Sequence, residues 1–244
     1  MEDKVDLAKQ ENYVCLGCAN DVNTDSALIK QRFQAWKELR KSCPVTINKA
    51  VGLEGLKQQK LHLDIKSGRK EPEPVPDDLQ RKFDYWTRNE LNAVASLVST
   101  VFPAFEAGAS LYEEGCYVVE NDGRPSIVII PDGSLRKDSN VLAGIEIKCP
   151  MPRKIYTNPV QYTLPHYYVP QVLSEMNCLS VTQLYFVYFG QESTAVHIED
   201  FDEKLWNDLV VEVNSLDHER TPKRLSPNIP NLKQSIEQFK TSKV

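Results

Sequence analysis

Two charged residues interrupt a short apolar segment, and this pattern constrains the fold more than any other feature of the chain. The segment begins at Gly144 and reads Gly-Ile-Glu-Ile-Lys-Cys-Pro, a composition typical of a buried strand. Side chains alternate along a strand, so Glu146 and Lys148 lie on one face and the apolar residues lie on the other. An unpaired charge is costly to bury. The pattern therefore predicts that these charges pair with each other or with a metal ion.

An acidic residue ends the apolar run that precedes this segment. Ile127–Ile130 is followed by Pro-Asp-Gly, which places Asp132 at the end of a predicted strand. Two carboxylates at the ends of adjacent strands can bind Mg²⁺, and the ion then polarises a phosphate group and activates water. Lys148 can orient that water or neutralise charge in the transition state. The set favours phosphodiester hydrolysis, and a buried ion pair without catalytic function is the alternative.

Hydrophobic periodicity predicts helices that alternate with short strands. Helices are predicted at Ala27–Lys41 with Ser26 as N-cap, at Val51–Leu63, at Leu79–Val101, at Pro165–Asn177, and from Asp202, as the cap, to about Leu216. Strands are predicted at Cys116–Val119, Ser126–Ile130, Ala143–Cys149, Leu184–Phe189 and Thr194–Ile198. Pro103 is expected to stop the third helix, and Asn121-Asp122-Gly123 is typical of a hairpin turn.

The order of these elements predicts an α/β fold with a mixed central sheet. Hairpins are expected to join the first three strands, and the helix that follows provides a crossover to a parallel strand. The segment Lys66–Asp78 contains three prolines among charged residues and is expected to be a linker.

The motifs around Asp132 and Glu146 resemble the core of the PD-(D/E)xK nuclease superfamily and, more closely, its YqaJ-like viral recombinase branch, which includes lambda exonuclease. Two further segments resemble that branch. Trp86–Ala93 has the Asn-Glu-x-x-Ala pattern of a family helix whose glutamate faces the metal site. Pro165–Met176 resembles a tyrosine-rich helix whose first glutamine belongs to the active site. The resemblance covers roughly residues 45 to 215.

The resemblance implies an α/β fold with a restriction-endonuclease-like core, in which helices flank a central mixed β-sheet, and a helical N-terminal segment. Residues 1–78 would form that segment and a linker, as part of the substrate-binding surface. Residues 79–220 would form the nuclease core, and residues 221–244 a basic C-terminal tail with a short helix.

The resemblance also implies a role for each residue of the site. The groups that would bind Mg²⁺, with Mn²⁺ as an alternative, are the carboxylates of Asp132, Glu146 and Glu90 and the backbone carbonyl of Ile147. Lys148 would position or activate the nucleophilic water, and Gln171 would orient Lys148 or that nucleophile. The chain departs from the family at Leu173, where a second glutamine is common, and at Ile130, where serine is usual.

An N-terminal helical segment of the family brings an arginine and a Thr-Ala-Ser-like turn to the substrate phosphate. Arg40 and the Val-Thr-Ile-Asn sequence that contains Thr46 resemble these elements. Lys49, together with Arg153 and Lys154 just beyond the charged strand, are further candidates for contacts with the DNA backbone. For each of these residues a solvated surface position is the alternative.

The net charge excludes only the simplest kind of nucleic-acid-binding protein. With 29 basic and 34 acidic residues the chain carries a formal charge of −5, so it is not basic overall, but a local basic groove is compatible with that total. The resemblance implies an exonuclease that acts on double-stranded DNA with a free end, in recombination or repair, and a homo-oligomeric ring such as a trimer. A non-catalytic scaffold that binds nucleic acid and retains the fold is the alternative.

Other features exclude several further classes. Cys15 and Cys18 form a single Cys-x-x-Cys pair without a second pair or neighbouring histidines, so zinc is not expected. Residues 1–10 are charged where a secretory signal would be apolar, and no apolar run approaches the length of a membrane span. An intracellular protein of the nucleus or cytoplasm, not secreted and without a membrane partner, is the expectation.

Overall fold

A mixed β-sheet forms the centre of the computed structural model, which describes residues 10–14, 25–43, 47, 56–121, 124–152, 163–190, 193–219, 232–239 and 241–243. The strands of these residues are β1 (Tyr13–Val14), β2 (Ser110–Tyr112), β3 (Tyr117–Asn121), β4 (Arg124–Ile129), β5 (Gly133–Lys137), β6 (Asn140–Lys148), β7 (Gln183–Phe189), β8 (Thr194–Asp200) and β9 (Thr241–Lys243). Seven of the described strands form the central sheet in the order β1-β2-β5-β6-β7-β8-β9, and β3 and β4 form a separate hairpin.

Helices cover both faces of the sheet. Their bounds in the described residues are α1 (Gln34–Ser42), α2 (Leu56–Lys66), α3 (Asp77–Ser96), α4 (Phe102–Phe105), α5 (Val169–Leu179), α6 (Glu203–Glu219) and α7 (Leu232–Glu237). A π-helical segment, Leu97–Val101, joins α3 to α4, and short 3-10 turns occupy Ser26–Leu28 and His166–Tyr168. The result is the predicted α/β fold in which helices flank a central mixed sheet.

Strand β6 lies at the centre of the sheet and changes its direction of pairing there. It is antiparallel to β5, with Gly133 opposite Ile145, and parallel to β7, with Glu146 opposite Phe186. A parallel neighbour requires a crossover connection, and α5 lies within the chain segment that provides it. The predicted crossover is therefore confirmed.

The alternation of side chains along β6 and β7 builds two apolar cores. On one face, Ile145 and Val187 belong to a cluster with Leu97, at the end of α3. On the other face, Phe186 belongs to a cluster with Leu173 of α5 and residues of α6. The even-numbered residues of β6 point towards this second core, so the charged pair predicted on one strand face lies beneath α5.

Four of the described strands, β1, β2, β5 and β9, were absent from the sequence prediction, and the absence of β5 made the predicted pairing wrong. The hairpin between β3 and β4 is present, but β4 does not continue into the central sheet beside β6. That place belongs to β5, whose sequence Gly-Ser-Leu-Arg-Lys contains a single apolar residue. Partners satisfy its polar groups: Glu114 accepts hydrogen bonds from Ser134 and from Arg136. Asp132 thus precedes β5 and sits opposite β6.

Several helix boundaries also differ from the prediction; α2, for example, ends at Lys66 and not at Leu63, and α3 begins at Asp77 and not at Leu79. Asp25, not Ser26, caps the first turn through a 3.0 Å hydrogen bond from the backbone amide of Ala27, and α1 begins only at Gln34. Pro103 does not stop the long helix, because the π-helical segment Leu97–Val101 continues it into α4, which ends at Phe105. The predicted cap at Asp202 is confirmed by a 2.9 Å hydrogen bond from the Leu205 amide.

The predicted domain boundaries remain predictions. Strand β1 from the predicted N-terminal segment and β9 from the predicted tail both lie at edges of the central sheet. The segment between α2 and α3 contains no helix or strand, as expected of a linker. No described helix combines the length and apolar character that crossing a bilayer requires. Cys15 and Cys18 lie outside the described residues.

Candidate active site

Glu146 and Lys148 form a buried ion pair on the α5 side of β6. Only 1% of Glu146 is exposed, and its Oε1 accepts a hydrogen bond from the Lys148 ammonium. That ammonium also lies 4.8 Å from the centroid of the Tyr168 ring, where a cation–π contact is favourable. The strand pattern thus predicted the shared face, and pairing of the two charges is one of the two outcomes that it allowed.

The amide of Gln171 links Glu146 to a second buried carboxylate. Its Nε2 donates to Glu146 Oε1 at 2.6 Å and to Glu175 Oε1 at 2.8 Å. Gln171 and Glu175 are four residues apart on α5, so both side chains extend from the same helix face. This face lies over β6, and the sequence-predicted Gln171 therefore reaches the predicted Glu146.

Asp132 reaches the same strand from the loop before β5. Its Oδ2 accepts a 2.8 Å hydrogen bond from the backbone amide of Ile147, between the two charged residues of β6. Its Oδ1 is 3.4 Å from the amide nitrogen of Gln31. Gly133 permits β2 to lie close to the start of β5, because a Cβ there would lie 2.9 Å from the carbonyl oxygen of Tyr112 on β2. The Pro-Asp-Gly sequence thus brings its carboxylate next to Ile147.

Glu90 extends from α3, which packs on the face of the sheet opposite α5. Its Oε2 accepts a 2.6 Å hydrogen bond from Nη2 of Arg32. Arg32 has a φ of +71°, a left-handed conformation that is uncommon for residues other than glycine. The chain therefore adopts an unfavourable backbone conformation at the residue that pairs with Glu90.

The four acidic groups influence one another. Burial raises the pKa of Glu146 above its usual range and Asp132 raises it further, whereas Lys148 opposes both effects. Burial, followed by the charge of Glu146, raises the pKa of Glu175, and burial, followed by Asp132, raises the pKa of Glu90. Burial alone would lower the pKa of Lys148, but Glu146 and Asp132 outweigh it and raise that pKa. The lysine therefore remains protonated among mutually repelling carboxyl groups.

Two adjoining cavities connect these residues. A cavity of about 800 Å³ is lined by Glu90, Asp132, Ile147 and Lys148. A second, of about 280 Å³, is lined by Asp132 and Lys148 as well, together with Glu146, Gln171 and Glu175. The residues of the predicted catalytic set thus border two cavities that share Asp132 and Lys148.

Cations and aromatic rings complete the larger cavity. Its cationic and aromatic lining includes Arg32, Arg40, Trp36, Phe83, Trp86, Tyr167, Tyr168 and Tyr188. Arg40, one of the predicted phosphate contacts, lies 5.1 Å from the Trp36 ring, and burial lowers the pKa of its guanidinium. The other predicted contacts, Thr46, Lys49, Arg153 and Lys154, lie outside the described residues.

The donor set suits a hard divalent cation. Asp132 and Glu146 offer carboxylate oxygens, the ligands that Mg²⁺ prefers, and Glu146 Oε2 is buried without a hydrogen-bond partner. Among the described side chains, however, no three carboxylate, imidazole or thiolate groups are arranged around one point. Each carboxylate instead interacts with a nearby donor: Glu90 with Arg32, and Glu146 with Lys148 and Gln171.

Three residues of the site were not predicted from the sequence. Glu175 had a usable signal, because it follows Gln171 by four residues and interrupts an apolar helix face. Gln31 and Arg32 lie in a turn before α1 and contact Asp132 and Glu90 across long sequence separations. No local pattern identifies such residues, since only the tertiary fold brings them to the site.

Comparison with known proteins identifies similar sequences and folds. The family model of the YqaJ-like viral recombinase domain matches residues 35–183. The crystal structure of an alkaline exonuclease, LHK-Exo, from Laribacter hongkongensis is 18% identical with a TM-score of 0.52, and the match covers 84% of this chain and 100% of that one. A crystal structure of LHK-Exo in complex with dAMP is 19% identical with a TM-score of 0.50, covering 83% and 97%. No curated protein matches this chain.

Proposed function

This chain belongs to the YqaJ-like viral recombinase family, and from that premise we propose that it is a Mg²⁺-dependent nuclease that hydrolyses phosphodiester bonds in DNA. The observation that carries the proposal is the buried pair of Glu146 and Lys148, held next to Asp132 on the wall of an open cavity. A buried ion pair is weak evidence for stability, because desolvation offsets its attraction. Its position beside a third charged group in a cavity is better explained by chemistry.

Four groups would hold the cation: the carboxylates of Asp132, Glu146 and Glu90 and the backbone carbonyl of Ile147. The three carboxylates do not surround one point among the described side chains, so binding would require Glu90 to leave Arg32 and Glu146 to turn from its present donors. When bound, Mg²⁺ supplies polarisation of the phosphate and a lowered pKa for an attacking water. Mn²⁺ has a similar preference for oxygen ligands and is the expected substitute. The cation would also reduce the repulsion that raises the pKa of Glu146.

Lys148 would act as a fixed positive charge. Its raised pKa keeps Nζ protonated, which favours orientation of the nucleophile and neutralisation of charge on the phosphate over proton abstraction. Gln171 donates its amide hydrogens to Glu146 and Glu175. It would therefore act by holding Glu146 in place, while Lys148 faces the substrate.

The walls of the larger cavity suit a DNA strand. Arg32 and Arg40 can contact backbone phosphates, and the rings of Phe83 and Trp86, whose centroids are 5.4 Å apart, are partly exposed to the cavity. Aromatic rings of this kind stack on unpaired bases. LHK-Exo, whose fold is similar, is an alkaline exonuclease solved with dAMP. We therefore propose DNA with a free end as the substrate, in recombination or repair. From the family resemblance we also propose a ring-shaped homo-oligomer, such as a trimer, as the assembly.

Cleavage of defined DNA substrates tests the proposal. The purified chain should degrade linear double-stranded DNA in Mg²⁺, leave closed circular DNA intact, and be inactive in EDTA. Asp132→Ala and Glu146→Ala should each lower the rate by about 100-fold or more, because each removes an oxygen ligand. Asp208→Ala is the matched control, since Asp208 pairs with Lys204 on the surface of α6 and should not affect cleavage.

The outcomes separate the two classes of function. DNA binding without cleavage, unchanged by Mg²⁺, would indicate a scaffold that retains the nuclease fold. Cleavage that survives both alanine substitutions would exclude the proposed site. Cleavage of circular DNA would agree with the proposed hydrolytic site but would exclude the preference for DNA ends.

A further inference from the structure

Glu175 is a buried carboxylate in a place where stability alone does not require one. It lies on α5, is 1% exposed, and is surrounded on its helix by the apolar residues Val172, Leu173 and Met176, which belong to the core. Its Oε2 is buried without a hydrogen-bond partner. A buried polar atom without a partner is unfavourable, so an apolar side chain at this position would serve packing better.

The contact that Glu175 does make is directed at the candidate active site. Its Oε1 accepts a 2.8 Å hydrogen bond from Gln171 Nε2, and the same nitrogen donates at 2.6 Å to Oε1 of Glu146. A primary amide nitrogen carries two hydrogens, so these two acceptors use both of them. In this arrangement Oε1 of Glu175 and Oε1 of Glu146 both act as acceptors. By accepting from Nε2, Glu175 holds the nitrogen of the Gln171 amide, and not its oxygen, towards Glu146.

The alternative orientation of this amide would disrupt the site. Were the amide rotated by half a turn, the oxygen of Gln171 would face Oε1 of Glu146, which already accepts a hydrogen bond from Lys148, and two acceptors would meet without a hydrogen between them. Glu146 would then lose the donor that, with Lys148, fixes its Oε1. Glu175 also lines the 280 Å³ cavity with Asp132, so it is part of the same enclosure.

We propose that Glu175 is a positioning residue for DNA hydrolysis, which fixes the orientation of the Gln171 amide and, through it, the carboxylate of Glu146. The inference rests on the nuclease function proposed above. It differs from a structural role in its expected consequences. A structural residue lowers both stability and activity when it is replaced, whereas a positioning residue that is costly to bury lowers activity alone.

Glu175→Met tests this difference. Methionine is unbranched and of similar length, so it fills the space without accepting a hydrogen bond. We expect kcat to fall by about 10- to 100-fold, as for other residues that orient an active-site ligand, with little change in the KM for linear duplex DNA. The midpoint of thermal unfolding in EDTA should stay the same or rise, because a buried carboxylate has been removed. Glu175→Gln keeps a carbonyl acceptor and should restore most of kcat.

Glu212→Met is the matched control, because Glu212 is also about 1% exposed but lies on α6 and lines neither cavity. It should leave kcat unchanged. The inference is overturned if Glu175→Met retains wild-type kcat, if Glu175→Gln is equally slow, or if the methionine variant unfolds at a lower temperature.

A second measurement does not depend on activity. The side-chain amide protons of Gln171, assigned in NMR spectra by their loss in Gln171→Met, should exchange slowly with water and faster in Glu175→Met. Equal exchange rates would exclude the positioning role even in a protein without nuclease activity. If the wild-type chain cleaves DNA but the Gln171 amide protons exchange equally fast in wild type and Glu175→Met, the proposed function stands and the positioning role is excluded.

Discussion

Replacement of Lys148 by methionine should destabilise the fold, whereas replacement of Glu146 by glutamine should not. Glu146 is 1% exposed, while 23% of the Lys148 side chain is exposed. Removing the lysine takes the cation away from a buried carboxylate, to which Gln171 still donates a hydrogen bond. Removing one partner of a buried pair costs about 3–5 kcal/mol, and access of water to Lys148 places this case near 3 kcal/mol. In a chain of this size that loss lowers the melting temperature by about 6–12 °C.

The reciprocal change leaves no buried charge behind. Glu146→Gln keeps an oxygen that can accept from Gln171, and the ammonium of Lys148 lies at a cavity that water can enter. We expect a change of about 1 kcal/mol or less in the free energy of unfolding. The double variant should be more stable than Lys148→Met alone, since the uncompensated carboxylate has gone.

Thermal unfolding followed by circular dichroism measures these differences. The experiment is done in EDTA, because a bound cation would stabilise the folded state by mass action. Lys204→Met is the control, since its pair with Asp208 is exposed and such pairs contribute about 0–1 kcal/mol. The reasoning fails if Lys148→Met melts at the wild-type temperature or if Glu146→Gln is equally destabilised.

Two further predictions concern the loop before β5 and the aromatic wall of the larger cavity. Gly133→Ala should lower the free energy of unfolding by about 1–3 kcal/mol, because the new Cβ would lie 2.9 Å from the Tyr112 carbonyl oxygen. Urea unfolding measures this loss, and unchanged stability would contradict the close contact between Gly133 and Tyr112. Trp86→Ala should weaken binding of single-stranded DNA by about tenfold, since stacking on one base contributes about 1–3 kcal/mol. Fluorescence anisotropy of labelled DNA in EDTA provides the measurement. Phe105→Ala, at a residue that is 66% exposed and does not line that cavity, is the control, and an equal effect of both changes would exclude a specific stacking role.

The part of the site that could be predicted depends on strand alternation and helix periodicity. Glu146 and Lys148 share a face because the period of a strand is two, whatever lies around it. Gln171 was found by the family resemblance of its helix, and its contact with Glu146 follows from the position of α5 over β6. Local geometry and a characteristic motif were sufficient in these cases.

The rest depends on contacts between distant segments. Strand β5 has almost no apolar pattern, and it is a strand because β2 and β6 pair with it and because Glu114 satisfies Ser134 and Arg136. Arg32 is joined to Glu90 across 58 positions of the chain. A single sequence contains no periodic signal for either feature, since both result from tertiary packing that overrides local preference.

Some departures from local rules lie at the two cavities. Glu146 and Glu175 each bury an oxygen without a hydrogen-bond partner, and Arg32 adopts a left-handed backbone conformation that costs about 1–3 kcal/mol. Natural sequences retain such unfavourable features mainly where function requires them, and compensate for them elsewhere in the fold. The same concentration of acidic groups explains why a net charge of −5 is a poor guide to the partner of this protein. Buried carboxylates that would bind a cation add to the negative total without repelling DNA, whereas Arg32, Arg40 and Lys148 line the cavity that the strand would enter.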